Sequence, residues 1–169
     1  MQALVESDIR SSLGNATEAE LAQLTLPVRF FVAEWAHLDA FAWRDPRIAS
    51  RGYLVTELDG ATAGVVLRAA DHSGSQHRAA ICNLCHTQQP ADQVVLFSAR
   101  RAGPAGERGD SVATYICSDL ACQDTVRLGR PAAPSEVIPS VHELERIEGL
   151  ARRTRAFVAD VLGERSALA

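Results

Sequence analysis

Four cysteines in two close pairs constrain this chain more than any other feature. Cys82 and Cys85 stand as C-x2-C in "AICNLCHTQQP", and Cys117 and Cys122 as C-x4-C in "TYICSDLACQDT". Zn2+ takes four soft ligands in a tetrahedron, and thiolates suit it. A C-x2-C turn lets two sulfurs converge on one ion while nearby backbone N–H groups bond to them. Disulfides would need an oxidising compartment. The opening residues "MQALVESDIR" carry acids where a secretory leader carries basic residues, so a cytoplasmic protein with reduced thiols is expected. A C-x2-C redox pair would leave the second pair without a purpose. The reading is a structural Zn2+ site made by Cys82, Cys85, Cys117 and Cys122, with an iron–sulfur cluster as the alternative.

The flanking sequence sharpens that reading. The first pair sits in a turn before a strand, "QVVLFSA", and Cys117 closes a returning strand, "SVATYIC". Cys122 falls in the first turn of a short helix that Asp119 is placed to cap. A knuckle, a hairpin and a helix whose N-terminal region supplies a ligand make a treble-clef arrangement, and the positive end of the helix dipole favours thiolate. Four thiolates on Zn2+ leave the centre at a charge of about −2. Arg100, Arg101 or Arg127 would offset part of it if the fold brings them close. The thiolates complete the shell, so His72, His77 and His86 are expected at the surface or behind the ligands. A closed shell has no open position for catalysis.

Around this centre the chain reads as α+β. "SDIRSSLG" is a short helix, and Thr17 followed by Glu20 is a capping box that opens a second. The segment "VRFFVAEWAHLDAFAW" is ambiguous between strand and helix, and its Phe30, Phe31, Trp35, Leu38, Phe41 and Trp43 read as core. Asp59-Gly60 joins two β-rich runs as a tight hairpin. Ser140 with Glu143 forms another capping box, ahead of Val141, Leu144, Ala151, Val158 and Val161 at near-helical spacing. The expectation is an N-terminal helical region (1–50), an antiparallel sheet with the four-cysteine treble-clef site (51–130), and a linker with a packed, amphipathic C-terminal helix (131–169). The sheet is expected from about Gly52 to Cys117.

The same sequence argues against several functions. No phosphate loop, nucleophile elbow or H-E-x-x-H motif occurs, and Asp45, Glu57 and Asp59 read as solvated turn carboxylates. No apolar run reaches the roughly 18 residues needed to cross a bilayer. "RGDS" at Arg108–Ser111 is short enough to arise by chance. The loop "ARRAGPAGERGD" (99–110) reads as exposed, and its arginines suit phosphate or an acidic protein surface. Yet the net charge is −4, and from Cys82 to Arg130 five arginines meet five acids. A protein partner fits that balance better than bulk nucleic acid.

Taken together, "LDAFAWRDPRIASRGYLV", "CNLCHT" and "VVLFSARRAGPAGERGDSVATYICSDLAC" resemble the FBP-type treble-clef zinc-finger proteins of actinobacteria. The likeness runs from about Leu38 to Arg130 and more loosely into the last helix. That family is similar to the FusB-type proteins, whose zinc-bearing domain binds elongation factor G and promotes its release from ribosomes stalled by fusidic acid. The resemblance implies a non-enzymatic, zinc-stabilised binder of elongation factor G, with no membrane and no small-molecule substrate. Cys82, Cys85, Cys117 and Cys122 match the family's metal ligands. Phe97, Arg100, Arg101, Tyr115 and Arg127 are candidate partner-contact residues, from their places on the zinc-side hairpin and helix. The N-terminal part departs from the resistance proteins, which carry a separate helical bundle there. A zinc-stabilised RNA- or ribosome-binding module is the alternative, and a thiol-based sensor a third reading.

Overall fold

The computed structural model describes residues 1–71, 78–127 and 139–164, with side chains of the last segment from residue 144 onward. Two short helices, α1 (Glu6–Ser12) and α2 (Glu18–Gln23), lead into single 3-10 turns at Val28–Val32 and Trp35–His37. Strands β1 (Ala40–Arg44), β2 (Arg51–Leu58) and β3 (Ala61–Ala69) follow. A small hairpin, β4 (Ala79–Ile81) and β5 (Gln88–Pro90), precedes β6 (Val94–Arg100). Helix α3 (Gly103–Glu107), β7 (Ser111–Cys117), α4 (Cys122–Arg127) and α5 (Pro139–Leu162) complete the described chain. The main sheet is antiparallel, in the order β1-β2-β3-β6-β7, so β1 and β7 are its edges.

Local chemistry accounts for most of these elements. Thr17 caps α2 as expected: its hydroxyl accepts from Glu20 N at 3.2 Å, and Glu20 Oε2 accepts from Thr17 N at 2.9 Å. Asp59 (φ 48°) and Gly60 (φ 81°) make the β2–β3 turn with both central residues left-handed, as a tight hairpin demands. The aromatic stretch resolves into the 3-10 turns and then β1. Ala40–Arg44, assigned to the helical region from sequence, is thus an edge strand, and the sheet begins there rather than at Gly52. Phe30, Phe41 and Trp43 are buried, whereas Phe31 is 74% exposed and lies outside the core.

The sheet is covered on both faces, which is why β2 and β3 each carry runs of consecutive buried residues. One face meets the N-terminal helices: Phe41, Trp43, Tyr53, Val55 and Val66 pack with Leu4, Ile9, Leu13, Leu24 and Phe30. The other face holds Leu54, Val65, Leu67, Phe97 and Ile116 with α4 and α5, through Val126, Leu150, Phe157, Val158 and Val161. The four cysteines belong to this second cluster. Helix α5 packs on the sheet as expected, though Leu144 is exposed. Val141 and the Ser140–Glu143 box fall on residues whose side chains lie outside those described.

Strands β3 and β6 pair at Arg68–Ser98 and Ala69–Phe97, with Ala70 N on Leu96 O (2.9 Å), and part on the other side of Arg68. Asn15 fills the gap. Its amide donates to Val66 O (3.1 Å) and Arg100 O (2.8 Å), and its Oδ1 accepts from Val66 N (2.7 Å). Two further departures from the sequence reading concern loops. The 99–110 segment contains α3 in place of an irregular exposed loop, with a Gly106 so close to Arg101 O that a Cβ would stand 1.8 Å away. Asp45 is buried, not solvated, and accepts from Tyr53 Oη (3.0 Å), Arg47 N (2.8 Å) and Ile48 N (3.1 Å).

Candidate metal centre

The hairpin β4–β5 carries the first cysteine pair at its tip. Cys82 N donates to Thr87 O (3.2 Å) and His86 N to Cys82 O (2.9 Å), closing a turn in which His86 takes φ 55°. Cys85 N points at Cys82 Sγ (3.4 Å), as an amide does toward a thiolate in such a knuckle. Asn83 N donates to Tyr115 O (2.8 Å) and pins the knuckle to β7. At the far end of β7 the chain reverses through Leu120 (φ 58°), with Leu120 N on Cys117 O (2.9 Å) and Asp119 Oδ1 accepting from Ala121 N (2.9 Å). That reversal puts Cys117 at the strand end and Cys122 at the first residue of α4.

The four sulfurs converge. All lie within 4.8 Å of one another and every cysteine is buried. Cys82 Sγ stands 3.6 Å from Cys122 Sγ, and Cys85 Sγ 3.6 Å from Cys117 Sγ. Thiolates at the corners of a Zn2+ tetrahedron with bonds of about 2.3 Å stand about 3.8 Å apart, so the donor set fits the ion. The thiols also divide between themselves. The neighbouring Cys117 thiol first, and Cys122 next, draw the pKa of the Cys82 thiol below its ordinary range. The same two partners lower that of Cys85. Cys122 is held well above the ordinary thiol range by Cys117, then by Cys82 and Cys85. Four buried cysteines so placed form a zinc-binding site. Gln89 Nε2 donates to Cys117 Sγ at 3.0 Å and supports the ligand from outside.

A family model described as the FBP C-terminal treble-clef zinc-finger matches residues 8–161. The chain belongs to this family. No curated protein matches it, and no solved structure does. The match covers most of α1, α2, the sheet, the centre and nearly all of α5, so the treble clef is one part of a larger FBP-type unit.

Within this FBP-type chain the five candidate contact residues separate sharply. Phe97 is fully buried in the core cluster under the centre and offers nothing to a partner. Arg100 Nη2 donates to Asn15 O (3.0 Å) and lies 4.0 Å from Glu20 Oε2. Arg101 pairs with Asp160 Oδ1 (2.9 Å) and donates to its backbone carbonyl. Arg127 binds Asp39 Oδ2 (2.9 Å) and His37 O (2.7 Å). These three arginines tie elements of the fold together, and none is hydrogen-bonded to a cysteine sulfur. Tyr115 is 50% exposed, on the strand to which the knuckle is pinned. His86 is exposed and outside the ligand set, while His72 and His77 lie outside the described residues.

Sequence reasoning missed two residues at the centre. Gln89 follows Cys85 by four residues and pairs with Ala80, two residues before Cys82, so the short β4–β5 hairpin returns it to the centre. Arg153 Nε donates to Leu84 O, inside the C-x2-C turn, at 2.6 Å. It comes from α5, so only the tertiary fold reveals it.

Proposed function

We propose that this FBP-type protein is a non-enzymatic cytoplasmic binding module whose partner is translation elongation factor G, and that it modulates that factor's release from the ribosome. The likeness to FusB-type proteins supports the partner. One observation supports the face, the half-exposed Tyr115 whose backbone carbonyl is bound by the knuckle at 2.8 Å. A tyrosine on a rigid, metal-anchored strand loses little freedom on docking, and such residues dominate interface energetics. The saturated four-thiolate shell suits a structural metal and a binding role. Protection against fusidic acid would be one consequence of such release.

The test is calorimetric titration of the zinc-loaded protein into elongation factor G from the same organism. One-to-one saturable binding is expected, and Tyr115→Ala should weaken it by about 2 kcal/mol, some 30-fold. Tyr115→Ala leaves the ion pairs of Arg100, Arg101 and Arg127 in place, so retained zinc and melting temperature separate lost contact from lost fold. No heat and no co-elution at tens of micromolar would end this reading. Binding to ribosomal RNA instead, weakening steeply with salt, would move the protein to the nucleic-acid class.

A further inference from the structure

We propose that Arg153 is the counter-charge and latch of the zinc centre, so that metal binding and docking of helix α5 are one event. The centre would carry about two negative charges once four thiolates hold Zn2+. Among the candidate counter-charges of the zinc-side hairpin and α4, Arg100, Arg101 and Arg127 are engaged with Glu20, Asp160 and Asp39. Arg153 instead reaches into the knuckle and donates to Leu84 O, between two ligands, at 2.6 Å. The seat for this side chain is built into α5. Its guanidinium lies back along the helix over Gly149, where a Cβ would stand 2.8 Å from Nη1 and 3.1 Å from Nη2. A Cβ at Gly149 would make the guanidinium end of Arg153 give way.

The rest of α5 reinforces the link. Arg146 Nη2 donates to Val126 O (3.3 Å) on α4, the helix that opens with Cys122. Leu84 and Leu150 are buried in the same cluster as the four cysteines. Helix α5 therefore grips both ligand-bearing pieces, the knuckle and α4, through backbone carbonyls that metal binding holds in place. Burial, with Arg152 next, lowers the pKa of the Arg153 guanidinium, while Cys85, Cys82 and Cys122 act to raise it, as a charge facing thiolates should. An arginine stays protonated throughout.

The experiment measures zinc affinity by competition with a chromophoric chelator, and hydrogen exchange along residues 144–162, on the full chain. Arg153→Gln should lower zinc affinity about ten-fold or more, and speed exchange in α5 of the zinc-loaded protein. The same change at exposed Arg152 should stay within about two-fold of the parent chain. Stripping zinc from the parent chain should release α5 from protection. Should Arg153→Gln fail to fold, Gly149→Ala decides the matter. It improves helix propensity yet displaces the guanidinium, so it should weaken zinc binding, whereas a merely helical role for this segment predicts no weakening. Zinc affinity unchanged in Gly149→Ala and Arg153→Gln, or α5 exchange indifferent to zinc, would overturn the proposal.

Discussion

Tyr53 and Asp45 show how a single side chain can be pinned by a register that no local rule announces. Strand pairing sets Trp43 opposite Tyr53, and the rings stack at 4.7 Å between centroids. The phenol then donates to Asp45 Oδ2, and burial first, with the carboxylate's bond and charge after it, pushes the Tyr53 pKa up to about 12. The folded value lies above the unfolded one of about 10. This contribution is therefore complete below pH 10 and is lost as pH rises toward 12. Melting temperature should fall through that window in the parent chain and fall less in Tyr53→Phe. At neutral pH the variant should be less stable by about 2 kcal/mol, the scale of a hydrogen bond to a charged group. Equal alkaline profiles for the two proteins would refute this account. At this scale the cysteines were legible because metal chemistry restricts spacing, and Thr17 because capping is local. Asp45 was not, since the Tyr53 hydroxyl lies across a strand pair, although the bonds from Arg47 N and Ile48 N are local. Phe97 was misplaced as a contact residue although its alternation with Val95 and Ala99, both buried, marks one inward face of β6.

Among the elements, strands and helices followed their own periodicities, and the errors fell where neighbours decide. Nothing in "VRFFVAEWAHLDAFAW" states that β2 is waiting for an edge partner, so β1 emerged only with the sheet. Likewise the 99–110 loop gained a helical turn because Gly106 permits the chain to close on Arg101. Asn15 is the most consequential of these unannounced residues. It stands between α1 and α2 and replaces ladder bonds where β3 and β6 separate. Asn15→Ala would leave the buried Val66 amide and carbonyl unpaired, at a cost of about 3 kcal/mol. Chemical denaturation should show that loss with zinc content unchanged. A variant as stable as the parent would mean that the strands close the gap themselves.

At the scale of the whole molecule, the metal site and the core of one sheet face are the same body of packed residues. Zinc is therefore expected to act as a stabiliser of the entire fold. A ligand held at about 1,000 times its dissociation constant adds about 4 kcal/mol. At about 2–4 °C per kcal/mol for chains of this size, stripping zinc with excess chelator should lower the melting temperature by roughly 8–16 °C. Acid should act in the same direction, because reprotonated thiols release the metal. A calorimetric trace indifferent to chelator would separate site from core. Among the described residues no helix is long and apolar enough to cross a membrane.

The staple from Asn83 N to Tyr115 O has one more effect. Strand β7 borders the sheet, and a border strand with open carbonyls is a template on which another chain can add itself. The knuckle occupies one of those carbonyls. Loss of the metal should free that carbonyl, so the zinc-stripped protein is expected to aggregate faster than the loaded one.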